Sequence, residues 1–329
     1  MSQLYRVLLC GNVIDEEGQR LLTPVAQLSQ VGDYCTEEER IEAACTVDAM
    51  LVRTGAVTRA LIEASPNLKI VARHGVGYDA VDVEACTEHG VLVTITPDAN
   101  ATAVSEHALA LMLAAARKVP QADAALKAGH WEREPYLGIE LSGKTLGLVG
   151  LGRVGSKVAQ LANAFGMTVL AADPYATAER AESLGVRLME LDEMLPQADF
   201  VSVHAPLTSD TQYIIGRRTL PLLKETAILV NTARGGLVDP VALYEALEAG
   251  RPAAAALDVF ESEPFDIHDP LPKLSNVIVT PHVGGQTDDA LVNMAVGAAH
   301  AILDVFEGRR PQGLVNPKVL TNTSRVQVA

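Results

Sequence analysis

The segment 145–173 constrains the fold most, because it combines an apolar strand, a glycine-rich turn, a helix and a second strand. Gly150, Gly152 and Gly155 follow the apolar run 145–149 with the spacing G-x-G-x-x-G. The first glycine allows a tight turn, the second lets the backbone approach a pyrophosphate, and the third lets helix and strand pack closely. The free N–H groups at the start of the helix attract phosphate. The pattern predicts a dinucleotide site, and the alternative is a glycine-rich packing turn.

The acid that ends the second strand selects among dinucleotides. Residues 156–165 have helical apolar spacing, residues 168–172 form the second predicted strand, and Asp173 follows it. A carboxylate at this distance past the last glycine can accept hydrogen bonds from the ribose hydroxyls. It would repel a 2′-phosphate, and residues 174–176 supply no arginine to receive one. We therefore expect NAD rather than NADP.

Length, charge and cysteine usage narrow the class of protein. A chain of 329 residues is long enough for two ordinary domains, and its net charge of −15 argues against nucleic-acid or anionic-membrane binding. All four cysteines precede residue 90, without a C-x-x-C pair or a histidine at ligand spacing. We therefore expect buried thiols in the reducing cytoplasm and no metal site. No signal peptide is expected, and no transmembrane helix, because no apolar stretch reaches 18 residues.

Strand and helix patterns alternate along the chain, which predicts an α/β fold with parallel sheets. Before the glycine-rich turn we expect a helix at 79–88 and strands at 5–10, 49–52, 69–72 and 91–95. A nucleotide-binding domain usually begins with its glycine-rich strand, so this first unit is predicted to be a separate substrate domain. Residues 101–117 form a helix that is apolar around most of its circumference, and we expect it to lie between domains or subunits. Residues 121–143 are interpreted as an irregular arm or linker.

Alternation resumes after the turn. Near-continuous apolar runs predict strands covered on both faces at 200–204, 227–231, 253–259 and 277–280. A helix is expected at 240–249, capped by Asp239 and with proline at its first position. A last helix at 286–308, an extended return at 309–315 and a frayed tail at 324–329 complete the prediction.

Three residues capable of chemistry follow late strands, where an open parallel sheet places its ligand crevice. Arg234 could hold a carboxylate through two parallel hydrogen bonds, and His282 could move a proton near neutral pH. Glu263 beside that histidine would orient the ring and favour its charged form. The alternatives are a surface charge for Arg234, a turn acid for Glu263 and a capping histidine for His282. Asp258 closes a buried strand, as a satisfied structural acid or as a cofactor contact.

Taken together, these motifs resemble the D-isomer-specific 2-hydroxyacid dehydrogenases. The segments that carry the resemblance are 150–155, Asp173, 231–236, 258–264 and 280–285, joined by 73–79 and 129–155. The resemblance implies two Rossmann-like domains, with a cofactor domain at 101–286 inserted into a substrate domain made of 1–100 and 287–329. It also implies a homodimer built largely through the helix at 101–117 and the arm that follows.

The same resemblance assigns roles by position. Arg234 would bind the substrate carboxylate and carbonyl oxygen, His282 would be the acid/base, Glu263 its partner, and Asp258 a contact for the nicotinamide amide. The implied cofactor-binding set is Gly150, Gly152, Arg153, Val154, Gly155, Asp173, Ala205, Thr232, Ala233, Arg234, Asp258 and His282. The implied substrate-binding set is Arg53, Gly75, Val76, Gly77 and Arg234.

Departures from related patterns narrow the expected activity. Formate dehydrogenases of this superfamily lack the glutamate that is present here as Glu263, and phosphite dehydrogenases carry a lysine where this chain has Val76. Phosphoglycerate dehydrogenases often have a second arginine two residues after Arg53, where this chain has Gly55. No room is expected for the C-terminal regulatory domain that some of them carry.

We expect an NAD-dependent enzyme that interconverts a small D-2-hydroxy acid and its 2-keto acid by hydride transfer. The alternatives are a phosphoglycerate dehydrogenase proper and a non-enzymatic NAD(H)-sensing protein similar to the co-repressors that share this fold.

Overall fold

The computed structural model describes residues 4–322 and Arg325, so the predicted frayed tail at 324–329 lies outside the described residues except for Arg325. The guanidinium of Arg325 donates to the backbone oxygens of Ser65, Pro66 and Leu68. The chain divides into two compact units. One contains the described residues up to Asn100 and from Gln286 onward, and the other is Ala101–Gly285.

The elements alternate along the chain. The strands are β1 Tyr5–Cys10, β2 Ala26–Val31, β3 Ala49–Val52, β4 Ile70–Arg73, β5 Leu92–Thr94, β6 Thr145–Val149, β7 Thr168–Ala172, β8 Val186–Leu188, β9 Phe200–Val203, β10 Ile228–Asn231, β11 Ala254–Leu257 and β12 Val277–Val279. The helices are α1 Glu16–Leu22, α2 Glu37–Ala44, α3 Arg59–Glu63, α4 Val83–Glu88, α5 Ala101–Arg117, α6 Val119–Lys127, α7 Arg153–Ala164, α8 Ala178–Ser183, α9 Leu191–Met194, α10 Pro240–Glu248, α11 Asp288–Phe306 and α12 Val319–Asn322. Short 3₁₀ turns lie at Glu134–Tyr136, Leu195–Gln197, Leu220–Leu222, Gly235–Leu237 and Leu271–Lys273.

The first unit is a parallel sheet in the order β2-β1-β3-β4-β5. One apolar cluster joins one face of the sheet to α11, and a second cluster joins the other face to α2, α3 and α4. Helix α11 is long and apolar enough to cross a membrane by length and composition alone, yet it is a core helix of this unit. Its approach to α1 is close: a Cβ on Gly18 would lie 2.7 Å from the backbone of Ala295, so only glycine fits there.

The second unit is a parallel sheet in the order β12-β11-β10-β9-β6-β7-β8. The chain runs outward from β6 to β8 and then returns to β9 on the other side of β6, so the strand order reverses between β6 and β9. Helices α5 and α7 cover one face, and α10 with the segment around residue 220 covers the other. Both sheets are parallel and carry helices on both faces, which confirms the predicted α/β class.

Several local predictions were wrong for physical reasons. Edge strand β2 was missed because half of its residues are polar, and edge strand β8 was missed because it has only 3 residues. Helix α4 begins at Val83 rather than residue 79, because Asp82 caps it and accepts from the Ala85 N–H. The predicted arm at 121–143 begins as helix, because α6 extends through Lys127. The predicted extended return at 309–315 is interrupted by a turn at 312–313, after which Leu314 forms a β-bridge with Thr94 and the Val315 N–H donates to the Val93 carbonyl.

The cysteine prediction was half right. Cys10 and Cys86 are buried, and burial raises the pKa of each thiol to about 12. Cys45 is exposed and Cys35 is partly exposed, since both lie in loops at the ends of elements rather than in strands. All four thiols are free.

Candidate active site

The glycine-rich turn lies at the point where the order of the second sheet reverses. Gly150 directly follows β6 with φ +98°, and a Cβ there would lie 2.8 Å from the backbone nitrogen of Ala205, which follows β9. A Cβ on Gly155 would lie 2.3 Å from the carbonyl oxygen of Gly150. A Cβ on Gly152 would meet no atom within 4 Å. The tight turn therefore requires glycine at position 150, and the close packing requires glycine at position 155. Gly152 leaves the backbone open to an approaching ligand, as a pyrophosphate site requires.

Asp173 is held at the mouth of this turn. One carboxylate oxygen accepts from the Leu151 N–H at 2.7 Å and the other from the Tyr175 N–H at 2.8 Å. Ionised carboxylates accept up to about four hydrogen bonds, so acceptor capacity remains for ribose hydroxyls. Arg180 on α8 was not predicted to contact the turn, yet its Nη2 donates to Ser156 Oγ at 2.9 Å and approaches the Gly152 carbonyl at 3.4 Å. Nothing in the spacing of the glycine-rich motif indicates this contact, because a separate helix delivers it.

The loop after β10 contains the predicted cofactor and substrate residues 232–234. Asn231 is buried and shapes the loop: its side chain accepts from the Ala233 N–H at 3.0 Å and donates to the Arg234 carbonyl at 2.8 Å. Thr232 Oγ1 is buried and makes no hydrogen bond within the described part of the chain. A buried hydroxyl without a partner is uncommon. Together with the open approach at Gly152, it fits a dinucleotide whose polar groups would satisfy it.

The loop that carries Arg234 lies directly against the segment that carries Glu263. A Cβ on Gly235 would lie 1.9 Å from the carbonyl carbon of Phe260, so the two backbones can approach only at a glycine. Arg234 is partly buried, and its Nη1 donates to the carbonyl of Ala233 at 2.6 Å. The contact at Gly235 explains how residues far apart in sequence come to share one site.

His282 and Glu263 form a hydrogen-bonded pair. The imidazole Nδ1 lies 2.6 Å from Glu263 Oε2, and the other oxygen accepts from the Phe260 N–H at 3.0 Å. Burial pushes the pKa of Glu263 upward, but these hydrogen bonds and the charges of His282 and Arg234 outweigh it and hold the pKa below the ordinary 4.5. The carboxylate is therefore ionised at neutral pH. The structure thus brings Arg234, Glu263 and His282 together.

The backbone of His282 is left-handed, with φ +52°, which non-glycine residues adopt rarely. Asp258 holds it in place from both sides. The Asp258 carbonyl accepts from the His282 N–H at 2.8 Å, and its carboxylate accepts from the N–H groups of Val283 at 2.9 Å and Gly284 at 2.8 Å. The strained conformation is therefore fixed by contacts outside the loop.

The carboxylate of Asp258 is 1% exposed and already satisfied within the protein. Thr280 Oγ1 donates to it at 2.6 Å, and Nε2 of His107 on α5 lies 3.3 Å away. Burial raises the pKa of Asp258, but the hydrogen bonds from His107, Thr280 and the loop N–H groups lower it more, to below the ordinary 3.8. Of the two interpretations left open by the sequence, this geometry favours the structural acid. Contact with the nicotinamide amide stays a prediction.

The predicted substrate residues of the first unit lie at the ends of two neighbouring strands, β3 and β4. Arg53 donates to the Val13 carbonyl and to Gln286 Oε1, both at 3.1 Å. The Gly75 N–H donates to Thr96 Oγ1 at 3.0 Å, and Arg73 Nε donates to the Gly77 carbonyl at 2.8 Å. The structure therefore brings Arg53 and the segment 75–77 to one edge of the first sheet. Over residues 4–322 and Arg325, no group of His, Cys, Asp or Glu is arranged to hold a metal ion.

A family model described as D-isomer specific 2-hydroxyacid dehydrogenase, NAD binding domain, matches residues 109–284, which is more than half of the chain. The chain belongs to this family. The resemblance drawn from the motifs is therefore confirmed, and so is a nicotinamide dinucleotide as the cofactor of the second unit.

Individual curated proteins and solved structures also resemble this chain over most of its length. A D-3-phosphoglycerate dehydrogenase of Methanocaldococcus jannaschii is 46% identical over 94% of this chain, which spans 59% of that relative's length. The chain thus spans little more than half the length of this curated relative. A solved structure of a Thermus thermophilus protein is 36% identical, with a TM-score of 0.88 over 94% of this chain and 99% of that one. A glyoxylate reductase from Paecilomyes thermophila is 31% identical, with a TM-score of 0.86 over 95% and 98% of the two chains.

Proposed function

We propose that this chain is an NAD-dependent oxidoreductase that interconverts a small D-2-hydroxy acid and its 2-keto acid. The observation that carries the proposal is the 2.6 Å pair of His282 and Glu263, with the charge of Arg234 acting on the same carboxylate. The first unit would serve as the substrate domain and the second as the cofactor domain. A bound nicotinamide dinucleotide would supply or accept the hydride.

His282 would move the proton through Nε2, because its Nδ1 is engaged by Glu263. In reduction, Nε2–H donates to the carbonyl oxygen as negative charge develops on it. In oxidation, neutral Nε2 accepts the hydroxyl proton. The ionised Glu263 accepts from Nδ1–H and fixes the orientation of the ring.

Arg234 would bind the substrate carboxylate and polarise the adjacent carbonyl. A guanidinium can donate two parallel hydrogen bonds to a carboxylate, which fixes both position and orientation. Orientation of the keto acid against the proton donor supplies much of the rate. Arg53 and the segment 75–77 would contact the remainder of the substrate.

Two candidate substrates differ in the group that is attached to the keto acid. The relative named D-3-phosphoglycerate dehydrogenase favours a phosphorylated three-carbon acid, whereas the glyoxylate reductase favours a small uncharged substituent. Gly55 at the place of a second arginine argues against the phosphorylated acid. The rival from another class is an NAD(H)-sensing binding protein, which could retain all three polar residues.

A panel of 2-keto acids with NADH tests the activity. Hydroxypyruvate, glyoxylate and 3-phosphohydroxypyruvate are each supplied, and NADH oxidation is followed by absorbance. We expect steady turnover with at least one acid, and the ratio of kcat/KM values identifies the preferred one. Binding of NADH without turnover on any acid would instead support the sensing protein.

We also propose a cytoplasmic homodimer. Leu126, Trp131 and Leu137 around α6 are 55%, 76% and 82% exposed. Beside them the second unit has a largely apolar cavity of about 620 Å³, lined among others by Ala115, Tyr136 and Ile278. Exposed apolar surface of this kind typically marks an association site. Light scattering should give twice the chain mass for the wild type and a smaller mass for Trp131→Ser.

A further inference from the structure

The loop around His282 is connected to a side chain that neither the motifs nor the proposed function uses. His107 lies on α5, and its side chain is 20% exposed. Its Nε2 lies 3.1 Å from Thr280 Oγ1 and 3.3 Å from Asp258 Oδ1. Its Cδ2 would lie 3.5 Å from a Cβ on Gly284, so the ring packs directly under the loop.

Hydrogen bonds connect His107 to Thr280, Thr280 to Asp258, and Asp258 to the backbone of the loop. Thr280 Oγ1 donates its proton to Asp258 at 2.6 Å, so its remaining lone pairs can accept from His107 Nε2–H. Asp258 in turn accepts from the N–H groups on both sides of the His282 side chain, through its carbonyl and its carboxylate. The only donor of this set that belongs to a long helix is His107, among the residues that the structure describes.

That distinction matters because contacts from outside the loop, through Asp258, hold its conformation. His282 occupies a left-handed conformation at φ +52°, which costs a non-glycine residue free energy and persists only when surrounding contacts fix it. Thr280, Val283 and Gly284 belong to the loop itself and would move with it. Helix α5 spans 17 residues and packs on α7 and the sheet, so it supplies a rigid reference.

We propose that His107 is a positioning residue for the reaction: by donating to Thr280 and Asp258, it holds the loop so that His282 Nε2 faces the substrate. His107 does not touch the reacting atoms. Its effect passes through two hydrogen-bonded side chains to the backbone of His282. The expected change in kcat rests on the proposed function, whereas the expected change in the position of His282 does not.

Two amide substitutions separate positioning from packing. In His107→Gln the side-chain amide can reach the position of Nε2 and donate there, whereas in His107→Asn it reaches only as far as Nδ1. Both residues are polar, and both change the helix surface to a similar extent. Misplacement of a catalytic group by about 1 Å can lower a rate by about a hundredfold.

For His107→Asn we expect kcat to fall between about tenfold and a hundredfold, with KM for NADH within about twofold of wild type. His107→Gln should recover most of the lost kcat. Circular dichroism at the assay temperature confirms that each variant is folded. A wild-type kcat in His107→Asn, or equal losses in both variants, would overturn the proposal.

A second measurement is independent of turnover. With ¹³C-labelled histidine, the Cε1–H signal of His282, assigned through His282→Ala, should shift in His107→Asn and return towards the wild-type position in His107→Gln. If the wild type fails to oxidise NADH with every keto acid supplied, the proposed function fails, while this signal still tests the positioning. An unmoved His282 signal in His107→Asn would refute the positioning even in an active enzyme.

Discussion

The glycine-rich turn at 150–155 and the loop at 280–285 both follow strands of the second sheet, β6 and β12, yet different contacts determine their conformations. The turn depends on glycines within it, since Gly155 packs on Gly150 and Gly152 leaves space, while Asp173 and Arg180 contact its backbone from outside. The loop is shaped from outside, by Asp258 and by His107 on α5. A local motif is visible in a sequence, whereas a loop imposed by distant side chains is not.

The comparison predicts different responses to mutation. Changes in the turn should act on cofactor binding or folding at the altered position alone. Changes around the loop should act on the proton-transfer residue even when they lie far from it.

Arg234→Ala should have a large effect, because it removes the guanidinium that we propose binds the substrate carboxylate. We expect kcat/KM for the keto acid to fall about a thousandfold, with both kcat and KM worsened. Arg234→Lys keeps the charge but not the planar fork, and should recover only part of the loss. An unchanged KM for the keto acid in Arg234→Ala would place the carboxylate elsewhere.

Two glycines of the turn provide a matched pair. In Gly155→Ala the new Cβ must displace the Gly150 carbonyl, which would lie 2.3 Å away, so we expect Tm to fall by about 2–10 °C. In Gly152→Ala no atom of the described residues lies within 4 Å of the Cβ, so Tm should stay the same while the Kd for NADH rises about tenfold. Calorimetry and NADH fluorescence titration measure the two quantities. Equal Tm values for the two variants would contradict the division of roles within the turn.

Asp173→Ala should narrow the preference for NADH over NADPH by about tenfold, because it removes the ribose acceptor and the repulsion of the 2′-phosphate. Asp173→Asn is the control, since it keeps an acceptor for the Leu151 N–H and removes only the charge. Kd values for both dinucleotides give the ratio. If the ratio stays constant in both variants, Asp173 does not face the ribose.

Glu263→Gln should have the smallest effect, a change at the acid end of the pH profile. Burial raises the pKa of Glu263, but its hydrogen bonds and the charges of His282 and Arg234 hold that pKa below the ordinary 4.5, so the wild-type carboxylate is neutralised only as pH falls through this lowered value. The wild type should therefore lose kcat/KM at low pH, whereas Glu263→Gln has no carboxylate to titrate and should lack this limb. Profiles of kcat/KM in both directions measure this. An acid limb that is the same in the wild type and in Glu263→Gln would remove Glu263 from the proton pathway.

The parts of the fold that sequence reasoning recovered are those determined locally. Apolar runs identified the central strands β6 and β10 almost to the residue, and Asp239 caps α10 as predicted. Edge strands β2 and β8 were not predicted, because an edge strand needs little apolar character. Helix α6 was not predicted, because none of its residues is buried and its sequence therefore has no core-facing pattern.

Some residues of the candidate site could likewise be predicted from local sequence, and others could not. Arg234, Glu263 and His282 could be selected because each follows a predicted buried strand, and the parallel sheet brings the ends of such strands together. The contact that joins two of them, Gly235 against Phe260, depends on three-dimensional packing. His107 and Arg180 reach the site from helices whose sequence gives no sign of it.

The central claim is that the loop at 280–285 presents His282 as the proton donor and acceptor. The most direct test is the steady-state kinetics of His282→Ala with NADH and the preferred keto acid. We predict that kcat falls between about a hundredfold and ten-thousandfold while the KM for the keto acid and the Kd for NADH change little. A variant that retained near wild-type kcat/KM would contradict the claim.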